Sequence, residues 1–390
     1  MHRPSWRWWA AAAWLLSACG KPPLQHNAYV ESWPEVHATE GCFDTPRAPL
    51  ADRLVVVSHP FDGAGREGHD FEVLRLTPVG ELHPTNRHFT MGRAYEGAIR
   101  FTPDGSLGLV VQDDGTLGLF RLDERGVPTV IDPAFGAGAF YAKDAHFDVA
   151  HRRVWIVDGN WPENGGGVYT SEIDCRTGQL GPPVLITPSK LADTLIQRGR
   201  DRALLVATQA SDGLGLGDAH FFDMVDGDIT STAPLLDELA IRSSAALVDD
   251  RWLLVADNSA FSGKPNRVAV GRVGQLGVQR VATFEIEDPF AIAASPFGNA
   301  AVVSSGIRDR IVHLRLRDGV WEDAGTAARA RLPGNMTTIR TGPLRGTVLA
   351  AENLGVHLLR FTPEGEVLDL GTFDIGDDEN AVIGTIGVQP

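Results

Sequence analysis

The sequence predicts an all-β fold, a seven-bladed β-propeller closed by pairing its C-terminal strand into the first blade. Three observations carry the prediction. A short apolar run with a polar exit recurs seven times, the segments ahead of these runs return at intervals of 45 to 51 residues, and the two ends of the series are complementary. Blades of four strands take roughly 40 to 50 residues each, which is the interval seen.

The clearest copy lies between Glu96 and Ile131. An alternating segment (Ala98, Ile99, Phe101) meets the turn Thr102-Pro103-Asp104-Gly105, and the apolar run Leu107 to Val111 follows. After Gln112-Asp113-Asp114-Gly115 come Leu117 to Leu122, a second turn from Asp123 to Gly126, and Val127 to Ile131. Proline presets φ in such turns, glycine accepts φ > 0, and aspartate bonds its own backbone, so four short strands joined by three tight turns are expected. A meander with two apolar faces needs copies of itself to pack against.

The seven runs are Leu54 to Val57, Leu109 to Val111, Val154 to Val157, Leu204 to Ala207, Leu253 to Ala256, Ala301 to Val303 and Val348 to Ala351. Runs apolar on both faces belong in sheets covered on both sides, as radially stacked blades are. The segments ahead of them start near Glu96, Asp144, Ala192, Ser243, Pro289 and Asn335, with a last one near Asn380. The run at Leu54 has no such strand before it, and Asn380 to Pro390 has nothing after it. The second is expected to fill the place missing from the first, so that residues 53–390 form one closed domain.

Ahead of the ring, Arg3 and Arg7, the short apolar stretch Ala10 to Leu16, and Leu16-Ser17-Ala18-Cys19 read as a cleaved leader over residues 1–18. The apolar part is too short to span a bilayer. Residues 19–52 hold Pro22, Pro23, Pro34, Pro46 and Pro49 without clean periodicity, and are expected to form a tether. The chain has 35 Lys plus Arg against 50 Asp plus Glu; without Arg3 and Arg7 this leaves 33 against 50, a net charge of −17. Such a balance disfavours nucleic acid as a partner. With 43 Gly and 24 Pro, the composition fits a turn-rich β protein.

In a propeller, loops between second and third strands share a face with loops that link successive blades. This face, the top, should collect Asp113, Asp114, Asp158, Asn160, Asp257, Asn258, Glu352 and Asn353 from the first kind of loop. From the second kind should come Glu96, Asp144, His146, Asp193, Glu287 and Asp288, together with Asp237, Glu238 and Asp377 to Asn380. The bottom face should collect basic turns, among them His151-Arg152-Arg153, Arg198 to Arg202 and Arg251. The tether enters the second strand of blade 1 from below, so a membrane anchor would hang from the basic end. Cys42 in the tether and Cys175 in the turn Asp174 to Gly178 are both expected at the bottom. Eleven extended residues reach about 36 Å, enough for a disulfide between them; two free thiols are the alternative.

Chemistry is harder to find. Gly63-Ala64-Gly65-Arg66-Glu67-Gly68 matches a dinucleotide fingerprint as a string, but Phe71 to Leu76 alternates like a strand where a helix would be needed. Asp223 to Asp228 lacks the twelve-residue spacing of a calcium loop and reads as a hairpin turn. The remaining constellation is the acidic top, where Glu96, Asp113, Asp158, Asp257, Asn258, Glu352 and Asn353 would bind a ligand. Phe135, Phe140, Tyr141, Trp161 and Phe261 would either form an aromatic platform there or wedge neighbouring blades. Trp155, Trp252 and Trp321 read as packing residues.

Two resemblances add to this. Leu16-Ser17-Ala18-Cys19 resembles the bacterial lipobox, which implies lipidation of Cys19, and Gly20 rather than Asp after it implies the outer membrane. The repeat spacing and polar exits resemble the seven-bladed propellers of the YVTN-repeat and lactonase-like families, although the YVTN tetrad is absent and Val255-Ala256-Asp257-Asn258 is its nearest echo. Calcium-dependent lactonase-like propellers hold a cation that polarises a lactone carbonyl. By that resemblance Glu96, Asp158, Asp257 and Asn258 would be ligands of Ca2+ and His146 a proton carrier. The two functional expectations are therefore an outer-membrane lipoprotein that binds a protein, glycan or cation at its acidic top, and a metal-dependent lactone hydrolase.

Overall fold

The computed structural model describes residues 41–44, 52–61, 67–207, 218–234, 242–258, 266–275, 277–353, 355–375 and 382–390. They form seven four-stranded antiparallel sheets arranged as the blades of a ring. The leader, Cys19, most of the tether, Phe261, Asp237, Glu238, and Asp377 to Asn380 lie outside the described residues. Among the described residues the only helical piece is the 3-10 turn Pro162–Asn164.

The seven apolar runs are the second strands of the blades: Arg53–Phe61, Leu107–Val111, Arg153–Asp158, Arg202–Ala207, Trp252–Asp257, Ala300–Ser305 and Thr347–Glu352. Their double-sided burial has a direct cause. In blade 1, Val55 and Val57 pack with Leu349 and Ala351 of blade 7, while Leu54 and Val56 pack with Val110 and Phe120 of blade 2. In blade 3, Val154 and Ile156 face Leu109 and Val111 of blade 2, and Trp155 and Val157 face Leu205 of blade 4. Successive residues of one strand thus serve opposite neighbours, and a one-residue slip would exchange every partner. Trp155 is wholly buried against Phe222, and Trp252 meets Trp321 at 6.3 Å, so these indoles are packing residues.

Ring closure follows the expected route. Ile386–Val388 is the innermost strand of blade 1, pairing Val55 with Val388 and Val57 with Ile386. The paired stretch is shorter than the alternation from Asn380 suggests, because Val382 bridges to Asn353 of blade 7 and Gly384 and Thr385 bond Ser58. The strand also packs sideways: a Cβ at Gly387 would meet Ile99 of blade 2 at 2.5 Å, which requires glycine there.

The innermost strands surround a central channel and run from top to bottom. Those that matter below are Ile99–Phe101 (blade 2), Ala142–Asp148 (blade 3), Ala192–Arg198 (blade 4), Pro289–Ala294 (blade 6) and Met336–Thr338 (blade 7). The bottom face carries the described piece of the tether, residues 41–44. Cys42 is disulfide-bonded to Cys175 with their Cα atoms 5.5 Å apart, its carbonyl accepts from Asp104 N at 3.3 Å, and Asp44 pairs with Arg152 at 2.5 Å. Other basic groups of this face are likewise engaged: Arg153 bonds Asp148 (3.3 Å), Arg198 donates to the Asp250 carbonyl (3.0 Å) and Arg251 Nε bonds Asp249 (2.8 Å).

Candidate functional site

Asp144 and His146 depart from their expected place. They lie on the innermost strand of blade 3, not in the loop linking it to blade 2, because the turn Gly136 to Phe140 brings the chain round early and the strand starts at Ala142. At this position Asp144 joins three blades. Its Oδ1 accepts from Arg100 Nη2 of blade 2 at 3.2 Å, and its Oδ2 from the Leu195 amide of blade 4 at 3.3 Å. His146 Nε2 lies 2.7 Å from the same Oδ2.

The electrostatics of this group follow from its placement. The Asp144 side chain is nearly inaccessible, and burial alone would favour its protonated form; His146 and the Arg100 guanidinium outweigh that and hold its pKa well below the usual carboxylate range. Burial and the Arg100 charge push the His146 pKa down, against the opposing pull of Asp144 and the Leu195 backbone. His146 is therefore a neutral imidazole near pH 7, oriented by a carboxylate, with 23% of its side chain open to the channel. A neutral, oriented imidazole can accept a proton, and a guanidinium beside it can stabilise a developing oxyanion.

Aromatic rings meet at the top of the channel. Tyr95, in the segment linking blades 1 and 2, meets Phe61 and Phe290 with both ring centroids at 5.9 Å, and Phe290 belongs to blade 6. The segment is pinned by Ser58 Oγ donating to the Ala94 carbonyl (2.6 Å), and by Asn335 Nδ2 donating to the Glu96 carbonyl (2.7 Å). Burial, then the charges of Glu96, Asp288 and Asp113, push the Tyr95 phenol up to about 12.

The residues that read as an acidic mouth do lie at the top ends of the strands, but most are engaged within the protein. Asp113 bonds Arg93 Nε at 2.7 Å and accepts from Tyr95 N at 2.8 Å, while burial still raises its pKa. Asp257 bonds Arg267 Nε at 3.2 Å; Asn258 Nδ2 donates to Asp288 at 2.9 Å; Glu352 accepts from Arg331 N at 3.0 Å and lies 3.6 Å from His357. Asp158 is fully buried, with Oδ1 accepting from Asn160 N at 2.8 Å and Oδ2 without a hydrogen-bond partner among the described residues, and desolvation pushes its pKa up to about 6. Asn353 Oδ1 is also buried, with no hydrogen-bond partner among the described residues.

The proposed ligand set Glu96, Asp158, Asp257 and Asn258 is not brought together as a metal centre. Among the described residues no group of three or more His, Cys, Asp or Glu side chains is placed to share a cation, and Arg267 places a positive charge against Asp257. Phe135 and Phe140 are buried, with Phe140 against Tyr169 at 4.9 Å, so they are packing rather than a platform. Tyr141 and exposed Trp161 each carry a lysine over the ring, Lys143 at 4.5 Å and Lys190 at 4.3 Å. The residues missed by sequence reasoning are Arg100, Tyr95 and Phe290. Arg100 and Phe290 stand out only once their strands are known to be innermost.

No protein-family model matches the chain, and no curated protein matches it either. Among solved structures it is similar to a provisionally assigned 6-phosphogluconolactonase from Bacteroides fragilis (TM-score 0.63, 12% identity, 88% of this chain and 99% of that one). It is similar to the periplasmic gluconolactonase PpgL of Pseudomonas aeruginosa (TM-score 0.62, 13% identity, 87% and 99%). The hydrazine synthase of Kuenenia stuttgartiensis also matches (TM-score 0.57, 12% identity, 86% and 99%). At these identities the likeness is one of fold, and a fold shared by such different proteins does not assign chemistry. What the three comparisons establish together with the sheet order is that this chain is a seven-bladed β-propeller.

Proposed function

We propose that the protein hydrolyses a lactone or related cyclic ester within its central channel, with Arg100, Asp144 and His146 as the working groups. The observation that carries this reading is the Asp144–His146 contact at 2.7 Å, with Arg100 on the same carboxylate, on a wall open to channel water. The gluconolactonase names borne by two proteins of like fold agree with it.

In this mechanism His146, with Nε2–H held by Asp144, takes a proton from water at its other nitrogen as the oxygen attacks the carbonyl carbon. Arg100 lies against the oxyanion that forms. Collapse breaks the ring acyl C–O bond, the imidazolium returns its proton to the departing alkoxide, and a hydroxy acid leaves. A panel of aldonolactones tests this: His146→Asn should lower kcat by about 10²–10⁴-fold, the usual span for a general base. Equal rates in variant and wild type would overturn the assignment.

A second reading, a module that binds a protein, glycan or cation at the top face, draws on Asp158 Oδ2 and Asn353 Oδ1, two buried oxygens without partners among the described residues. Either activity would operate at the cell envelope if Cys19 is lipidated. The lipobox-like sequence and the docking of Cys42 on the bottom face support that anchorage. Incorporation of labelled palmitate that is lost in Cys19→Ala checks it.

A further inference from the structure

The strand that carries Asp144 and His146 rests in part on the tether. Its side chains alternate: Asp144 reaches Leu195 of blade 4 and Asp148 reaches Trp155, while Ala145 and Phe147 pack into the apolar cluster shared with blade 2. That cluster takes in Cys42 and Phe43 of the tether, 2% and 5% exposed, together with Cys175. The Phe43 ring meets Phe147 edge-on, with centroids 6.3 Å apart, and Phe147 is the residue that follows His146. Phe43 is held in this seat on both sides. Cys42 before it is bonded to Cys175 and accepts from Asp104 N, and Asp44 after it bonds Arg152 in the turn that follows the same strand.

We propose that Phe43 is a positioning residue for the Asp144–His146 pair, and that the tether segment around it is thereby a working part of the channel site. Phe43 acts through Phe147 and the backbone of the strand, whose other face presents His146 to Asp144 at 2.7 Å. Truncating Phe43 leaves a void beside Phe147, and the strand can relax into it. A displacement of about 1 Å at a general base can cost about 10²-fold in rate. The effect on catalysis rests on the hydrolase reading; the effect on the His146 ring does not.

NMR titration of the His146 ring and aldonolactone kinetics, both on the full chain, test this with Phe43→Ala and Phe43→Leu. The control is Leu359→Ala, a truncation of a fully buried side chain between blades 6 and 7. In Phe43→Ala the His146 inflection should move up toward 6.5, because loosened packing returns water to the ring, and kcat should fall about 3–30-fold with KM within about twofold. Phe43→Leu should recover most of both, and Leu359→Ala should alter neither. An unmoved inflection in Phe43→Ala, or an equal displacement in Leu359→Ala, overturns the proposal. If Phe43→Ala does not fold, as judged by melting, the comparison is made with Phe43→Val, and an unmoved inflection there overturns it too. A wild type that turns over no lactone, while its His146 inflection moves in Phe43→Ala, would sink the hydrolase reading and leave the positioning role standing. Lactone turnover by wild type with kcat and inflection unchanged in Phe43→Ala would do the reverse.

Discussion

The side-chain amide of Gln389 donates to the carbonyl of Gly105 at 2.6 Å, which fastens the closing strand of blade 1 to the bottom turn of blade 2. The same side chain accepts from Leu54 N at 3.0 Å, and the Gln389 carbonyl accepts from Arg53 Nη1 at 2.7 Å. Gln389 is 1% exposed, so truncating it strands buried partners. Gln389→Ala should cost about 1–3 kcal/mol, seen as a lower urea midpoint with little change in slope. An unchanged midpoint would mean that closure depends on the strand pairing alone.

The Cys42–Cys175 bridge closes a loop with a sequence separation of 133. Constraining so long a loop in the unfolded chain is worth about 3–5 kcal/mol on the chain-entropy account. Cys42→Ser should lose that much, and reductant should lower the stability of wild type but not of the variant. Equal sensitivity to reductant in both would show that the bridge is not the stabilising element.

The ring was legible because burial on both faces leaves a local mark: three or four apolar residues in succession, seven times over, each followed by a polar residue. Closure was legible for the same reason, since Leu54 to Val57 lacked an inner neighbour. The site was less so. Arg93, Arg267 and Arg331 neutralise or bond Asp113, Asp257 and Glu352, yet lie 20, 10 and 21 residues away, a separation that sequence reading cannot convert into contact. Arg100 and Asp144 are 44 residues apart, about one repeat, and meet only because equivalent positions of adjacent blades face each other across the channel wall.

His146 provides a test in pH. Its folded pKa lies below the ordinary 6.5, so the neutral ring is favoured; the stability it contributes is present above 6.5 and lost as pH falls through the depressed value. Asp144, also depressed, acts in the same direction at lower pH. Lactone turnover should therefore rise with pH through an inflection below 6.5. Asp144→Asn, by removing the charge that supports the imidazolium, should move that inflection further down while lowering the rate. An inflection at or above 6.5, by rate or by NMR titration of the ring, would contradict the assignment.

Asp158 should behave in the opposite sense. Burial raises its pKa from 3.8 to about 6, so its contribution is fully present below 3.8 and is lost as pH rises through 6. A neutral amide avoids that loss and can still accept from Asn160 N. Asp158→Asn should thus stabilise the protein at pH 7.5 by about 1–3 kcal/mol, the scale of a shift of this size, and the difference should vanish near pH 4. Denaturation at the two pH values decides it. If the variant is instead less stable at pH 7.5, the carboxylate is compensated in solution, a bound cation at Oδ2 becomes the simplest compensation, and the top-face binding role gains over catalysis in the channel.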